Sequence, residues 1–185
     1  MGDINASRIK PLLMYWGAMS MEQATYFLER FYGTENAQNK IDYLCRSRYL
    51  THLRGNPKIV SISDYPGIIF NEEKERCIWV YFEYAKAILN ESGNWPKIVT
   101  HNDYYGVNFC YNKEYYSMVY VGSDDFTYYN ILKTKYDEAT TFIYVTDCKQ
   151  NAEKIRKVNT KDKIWYVQKI GNNWDIVQYT GKVNG

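Results

Sequence analysis

The sequence predicts an α+β protein in two parts, and three observations carry that prediction. Apolar residues in the N-terminal third recur at helical spacing in three short blocks, and a Gly-Asn-Pro turn between two β-rich pieces follows directly. A long helical block comes next. Beyond it the apolar period shortens to two and strands arrive in a cluster. The chain has 185 residues, 45% of them apolar and 24% charged, with four prolines, the composition of a folded chain with enough residues for two small cores.

In the first block, Ile9, Leu12, Leu13 and Trp16 share one helix face, with Ser7 as the expected N-cap, Pro11 in the first turn and Gly17 near the end. Ser20-Met21-Glu22-Gln23 is a capping-box pattern. It opens a second helix with Ala24, Phe27, Leu28 and Phe31 as its apolar stripe and Gly33 as its stop. A third helix is expected to start at Asn36 as N-cap and to bury Ile41, Leu44 and Cys45, leaving Gln38, Asn39, Asp42, Tyr43 and Arg46 outside. Thr51-His52-Leu53 and Ile59 to Ile62 then read as strands joined by Arg54-Gly55-Asn56-Pro57-Lys58, with His52 a strand residue rather than a ligand.

Three short helices followed by a hairpin is the order of a winged helix-turn-helix. In such a unit the third helix enters the major groove and the hairpin reaches the phosphates. The candidate DNA contacts are Gln38, Asn39, Lys40, Tyr43, Arg46, Arg48, Arg54 and Lys58, because amides and guanidinium groups pair with base edges while cations pair with phosphate. Charge points the same way. Residues 1–62 hold eight Lys/Arg against five Asp/Glu, whereas residues 63–185 hold fifteen against sixteen. Asp42 is the one acid within the basic stretch, and facing a groove it would repel phosphate.

Asp64-Tyr65-Pro66-Gly67 reads as a turn, so the expected division is a first domain over 1–63, a linker over 64–71 and a second domain over 72–185. The second opens with a long helix from Glu72 to Asn90. Strands follow over 97–101, 107–111 and 115–121, then a helix begun by Ser123-Asp124-Asp125, a strand over 141–146 buried on both faces, a surface helix over 151–158, and strands over 163–168 and 174–179, the last an edge.

Helix, three strands, helix, strand is the core order of restriction-endonuclease-like, or PD-(D/E)xK, domains. Their chemistry needs strand carboxylates to hold Mg²⁺ and a lysine to activate water. The third strand here, YYSMVYVG, has neither, so the domain reads as α/β, endonuclease-like in shape and lacking the catalytic motif. The whole order, together with KIDYLCRSRYL and its hairpin, resembles the replication-relaxation family and related proteins of plasmids and conjugative elements. That resemblance implies duplex DNA binding tied to a mobile element's replication, transfer or transcription.

No cofactor, metal site or enzymatic activity is expected. Phosphate-binding, serine-hydrolase and zinc-protease motifs are missing, and the four cysteines form no C-x-x-C pair. No apolar run is long enough for a membrane span, and a cytoplasmic location is expected. Two other readings stay open: a protein-docking adaptor whose winged helix binds no DNA, and a Mg²⁺-dependent nuclease with a displaced site built on Glu83, Asp103 and one or more of Asp124 and Asp125. A homodimer or protein partner is expected through the C-terminal domain. Trp79, Trp95, Trp165 and Trp174 either line a pocket there or complete its core. The 20 tyrosines read first as coding bias and second as a stacking surface.

Overall fold

The computed structural model describes residues 3–53, 56–62, 68, 70–92, 97–98, 106–122, 140–158, 163–171 and 173–180. It is a mixed α+β protein that divides into two compact units, Met1–Ile78 and Trp79–Gly185. The division falls inside the long helix whose first residue is Glu72.

The first unit runs α1 (Ile4–Trp16), β1 (Ala18–Ser20), α2 (Met21–Tyr32), α3 (Ala37–Arg46), β2 (Thr51–Leu53) and β3 (Asn56–Ser61). The three strands form an antiparallel sheet in the order β1-β3-β2. Strand β1 is an addition to the sequence reading. All three of its residues are buried, so no alternation betrays it, yet it pairs Ala18 with Ser61 and Ser20 with Ile59.

The start of α1 differs from expectation, and that of α3 stands where expected, after Asn36, but without a side-chain cap. The N-cap of α1 is Asp3, whose carboxylate accepts from the backbone N–H groups of Asn5 and Ala6 at 2.8 and 3.3 Å. Ser7 lies inside the helix and donates its hydroxyl to the Ile4 carbonyl. The earlier start prevails because Asn5 and Ala6 are themselves buried, and it moves Pro11 from the first turn to the helix interior. Asn36 precedes α3 in the left-handed region, φ 53°, and makes no side-chain cap bond. Its value there is tolerance of that backbone conformation rather than capping.

Helix α2 follows its sequence signals. Ser20 Oγ accepts from the Gln23 N–H and Gln23 Oε1 from the Ser20 N–H, both at 3.2 Å, and Gly33 closes the helix at φ 61°. The core of the unit is Ile9, Leu13, Trp16, Met19, Ala24, Phe27, Leu28, Ile41, Leu44, Leu50 and Val60, all buried. Each large member contributes about 1.5–3 kcal/mol by leaving water. Strand β3 begins earlier than the sequence suggests, so Pro57 lies inside it. The proline is tolerated because β1 pairs only with the Ile59–Ser61 end and β2 is irregular between His52 and Leu53.

The second unit contains most of α4 (Glu72–Ser92), then β4 (Lys97–Ile98), β5 (Gly106–Tyr111), β6 (Glu114–Tyr120), β7 (Thr140–Thr146), α5 (Lys149–Val158), β8 (Lys163–Ile170) and β9 (Asn173–Gln178). Its strands lie in sequence order in one sheet. β4, β5 and β6 are antiparallel, β7 and β8 run parallel to β6, and β9 returns antiparallel at the edge. Central β7 buries four consecutive residues, Ile143 to Thr146, as a parallel strand covered on both faces does. The helix expected after Ser123 and the turn at Asp64–Gly67 lie outside the described residues.

A helix covers each face of this sheet. On one, α4 sets Tyr81 and Tyr84 against Phe109 at ring distances of 5.5 Å and Trp79 against Trp174 at 6.0 Å. On the other, Ala152 and Ile155 of α5 pack with Val121, Tyr144 and Ile164. Trp79 is therefore a core residue, and Trp95 lies outside the described residues.

Candidate nucleic-acid interface

Helix α3 buries Ala37, Ile41 and Leu44, which at about 100° per residue occupy one narrow arc. The opposite arc carries Gln38, Asn39, Asp42, Tyr43 and Arg46, with Lys40 at its margin; all except the half-buried Asp42 are exposed. Five of the eight residues singled out in the sequence thus stand on one helix, displayed by its own packing.

Contacts with α2 and within α3 fix part of this face. Thr25 of α2 donates its hydroxyl to Gln38 Oε1 at 3.0 Å, and Gln38 Nε2 donates to Asp42 Oδ1 at 3.4 Å. Thr25 was not foreseen, because a contact between two helices leaves no local pattern. The carboxylate of Asp42 sits amid the polar arc. Burial pushes the neighbouring Cys45 thiol up, and Asp42 adds to that rise.

Past the end of α3 the chain turns sharply. Arg48 takes φ 60°, and its N–H donates to the Cys45 carbonyl while the N–H groups of Tyr49 and Leu50 both donate to the Leu44 carbonyl. Leu50 is anchored in the core and Arg48 is left exposed. Lys58 is exposed on β3. Arg54 lies outside the described residues. His52 stands within β2, as expected of a strand residue.

No protein-family model matches this chain. No curated protein matches it either.

In the second unit, Lys163 at the start of β8 donates to the Tyr84 hydroxyl. Its ammonium also lies 5.0 and 5.8 Å from the ring centres of Tyr84 and Tyr116. Tyr116 donates its own hydroxyl to Glu114 at 2.6 Å. Burial, reinforced by that hydrogen bond, raises the Tyr116 phenol well above its usual range. The group joins two strands and a helix by mutual satisfaction, with cation–π contacts each contributing about 0.5–2 kcal/mol.

Of the residues in the displaced-nuclease reading, Glu83 lies on α4, 3.5 Å from the Lys86 ammonium, and Asp103, Asp124 and Asp125 lie outside the described residues. Among the described residues no three His, Cys, Asp or Glu side chains gather as a metal site. Among them, too, no helix is long and apolar enough to cross a membrane.

Proposed function

We propose that the first unit is a winged helix-turn-helix that binds duplex DNA through α3, with the β2–β3 hairpin as its wing. The observation that carries this reading is the outward arc of α3, which combines amides and a guanidinium, with Arg48 beyond its end and Lys58 on the following hairpin. The order α1-β1-α2-α3-β2-β3 with sheet order β1-β3-β2 supports it, since that arrangement presents the last helix of a helix pair to a groove. On this reading Asn39 and Arg46 read base edges while Lys40, Arg48, Arg54 and Lys58 contact phosphates. Gln38 is the weaker reader, because its amide is already engaged on both sides.

The second unit is then an endonuclease-like scaffold. The support is its helix followed by antiparallel β4-β5-β6 and a parallel β7, with neither acid nor lysine between Tyr115 and Gly122. A regulatory or accessory part in the replication, transfer or transcription of a mobile element is the corresponding biological role.

Fluorescence anisotropy with duplex fragments at two salt concentrations tests the proposal. Exchange of Arg48 and Lys58 for Ala should weaken binding to all fragments alike and reduce the slope of log affinity on log salt by about 1–2. Asp42→Asn should tighten binding by removing a repulsive charge. Failure of the unaltered protein to bind any fragment at either salt would move the reading to a protein-docking adaptor.

A further inference from the structure

Asp42 stands within the outward arc of α3 rather than at its margin. Asn39, Asp42 and Arg46 follow one another at steps of three and four, the spacing that sets side chains in line along a helix. At about 1.5 Å of rise per residue the line is about 10 Å long. Base pairs follow one another at about 3.4 Å along a duplex, so the three side chains match about three successive pairs.

The carboxylate is held from outside its own helix. Its Oδ1 accepts from Gln38 Nε2 at 3.4 Å, and Gln38 Oε1 accepts from the Thr25 hydroxyl of α2 at 3.0 Å. Among the described residues Oδ2 accepts no hydrogen bond, and no ion pair joins Asp42 to Arg46 one turn further on. A tethered carboxylate with open acceptor capacity hinders a surface that only contacts phosphates. It suits a surface that reads bases.

We infer that Asp42 is a specificity-determining residue of the DNA-binding face, its carboxylate accepting a hydrogen bond from the N4 amino group of a cytosine in the major groove. The inference rests on the reading of α3 as the helix that enters that groove. An ionised carboxylate accepts and never donates, and the base-edge donors of the major groove are the amino groups of cytosine and adenine. Adenine N6 lies between two acceptors, its own N7 and O4 of the paired thymine, and both repel a carboxylate. Cytosine N4 has an acceptor on one side only, O6 of the paired guanine. Asn39 is suited to adenine and Arg46 to guanine, so the C·G pair read by Asp42 lies between an A·T pair and a second G·C pair. Thr25 is a positioning residue: through Gln38 it fixes the direction in which the carboxylate is presented.

Selection of the full chain against a random duplex library, followed by anisotropy on the selected duplex with each base pair exchanged in turn, tests the inference. The unaltered protein should prefer C·G at one position by about tenfold, flanked by the adenine and guanine positions. Asp42→Ala should flatten the preference at that position alone, Asp42→Asn should move it towards adenine, and Thr25→Ala should weaken it without changing the salt slope. Removing the charge tightens binding in general, so the ratio between duplexes is the readout, and unchanged circular dichroism verifies that each variant is folded. Variants that keep the cytosine preference, or that change affinity for every duplex alike, would overturn the role of Asp42 and leave DNA binding intact. A selected site without cytosine between the other two positions would overturn it as well. Failure of the unaltered chain to enrich or bind any duplex would overturn the DNA-binding reading and this inference with it.

Discussion

Replacing Gln23 by Glu separates two jobs that one side chain performs. A carboxylate at this position of a capping box is a favoured choice, so local reasoning expects a neutral or stabilising change. The structure predicts the opposite. Gln23 is fully buried; its Oε1 accepts from the Ser20 N–H, and its Nε2 donates to the Glu75 carbonyl at 2.8 Å. Glutamate keeps the first bond and loses the second, leaving an ionised oxygen against a carbonyl in a buried setting. A lost buried donor costs about 1–3 kcal/mol, and more when a charge is left in its place. We therefore expect Gln23→Glu to lose about 2–4 kcal/mol in urea unfolding at neutral pH, against about 1 kcal/mol for Ser20→Ala, which removes only a cap bond. Protonation restores a donor, so in the variant the folded state favours the protonated carboxyl and its pKa rises on folding. The deficit relative to wild type should accordingly shrink as pH falls. A Gln23→Glu protein as stable as wild type at neutral pH would refute the argument that the Glu75 contact holds the start of α2 in place.

Three further outcomes follow from particular contacts. Lys74 is buried and burial lowers its pKa, with its charge interaction with Cys77 as the smaller, opposing cause; Lys74→Met should stabilise the protein at neutral pH. A base depressed in the folded state regains that stability as pH rises from its folded value towards the unfolded value near 10.5, so the advantage of the variant should fade across that interval in thermal melts. A methyl group on Gly106 would come within 2.2 Å of the Met118 carbonyl oxygen, a clash with the paired strand that should cost about 1–3 kcal/mol or more in Gly106→Ala. Pro11 interrupts the interior of α1 on its exposed side, and Pro11→Ala should raise the melting temperature, the upper limit of the gain being about 3 kcal/mol.

Elements with strong local signals were legible in the sequence, and those made by distant contacts were not. The capping box at Ser20, the stop at Gly33, the length of α4 and the outward arc of α3 each rest on spacing within one segment. The cap of α1 was misplaced because Ser7 and Asp3 are both good caps, and only the burial of Asn5 and Ala6 chooses between them. β1 had no alternating pattern to reveal it. In the candidate interface, the positions of Gln38, Asn39, Lys40, Tyr43 and Arg46 followed from periodicity alone. The hold of Thr25 on Gln38, and the grouping of Lys163 with Tyr84 and Tyr116, required the chain to be folded, since each joins residues from different elements.

The sheet order of the first unit also governs when that unit can form. Among the described residues β1 pairs with β3 alone, the last described strand of the unit to be synthesised. The helices can develop early, because their contacts are local. Closing the sheet must wait until the polypeptide has delivered Ser61, and it carries the loop-closure entropy of every residue between. Until then, the backbone donors and acceptors of β1 lack their strand partner. A nascent chain halted before β3 would therefore present an open strand edge of the kind that recruits chaperones or neighbouring chains, and the arrival of Ile59 to Ser61 converts three helices and a loose segment into one cooperative body.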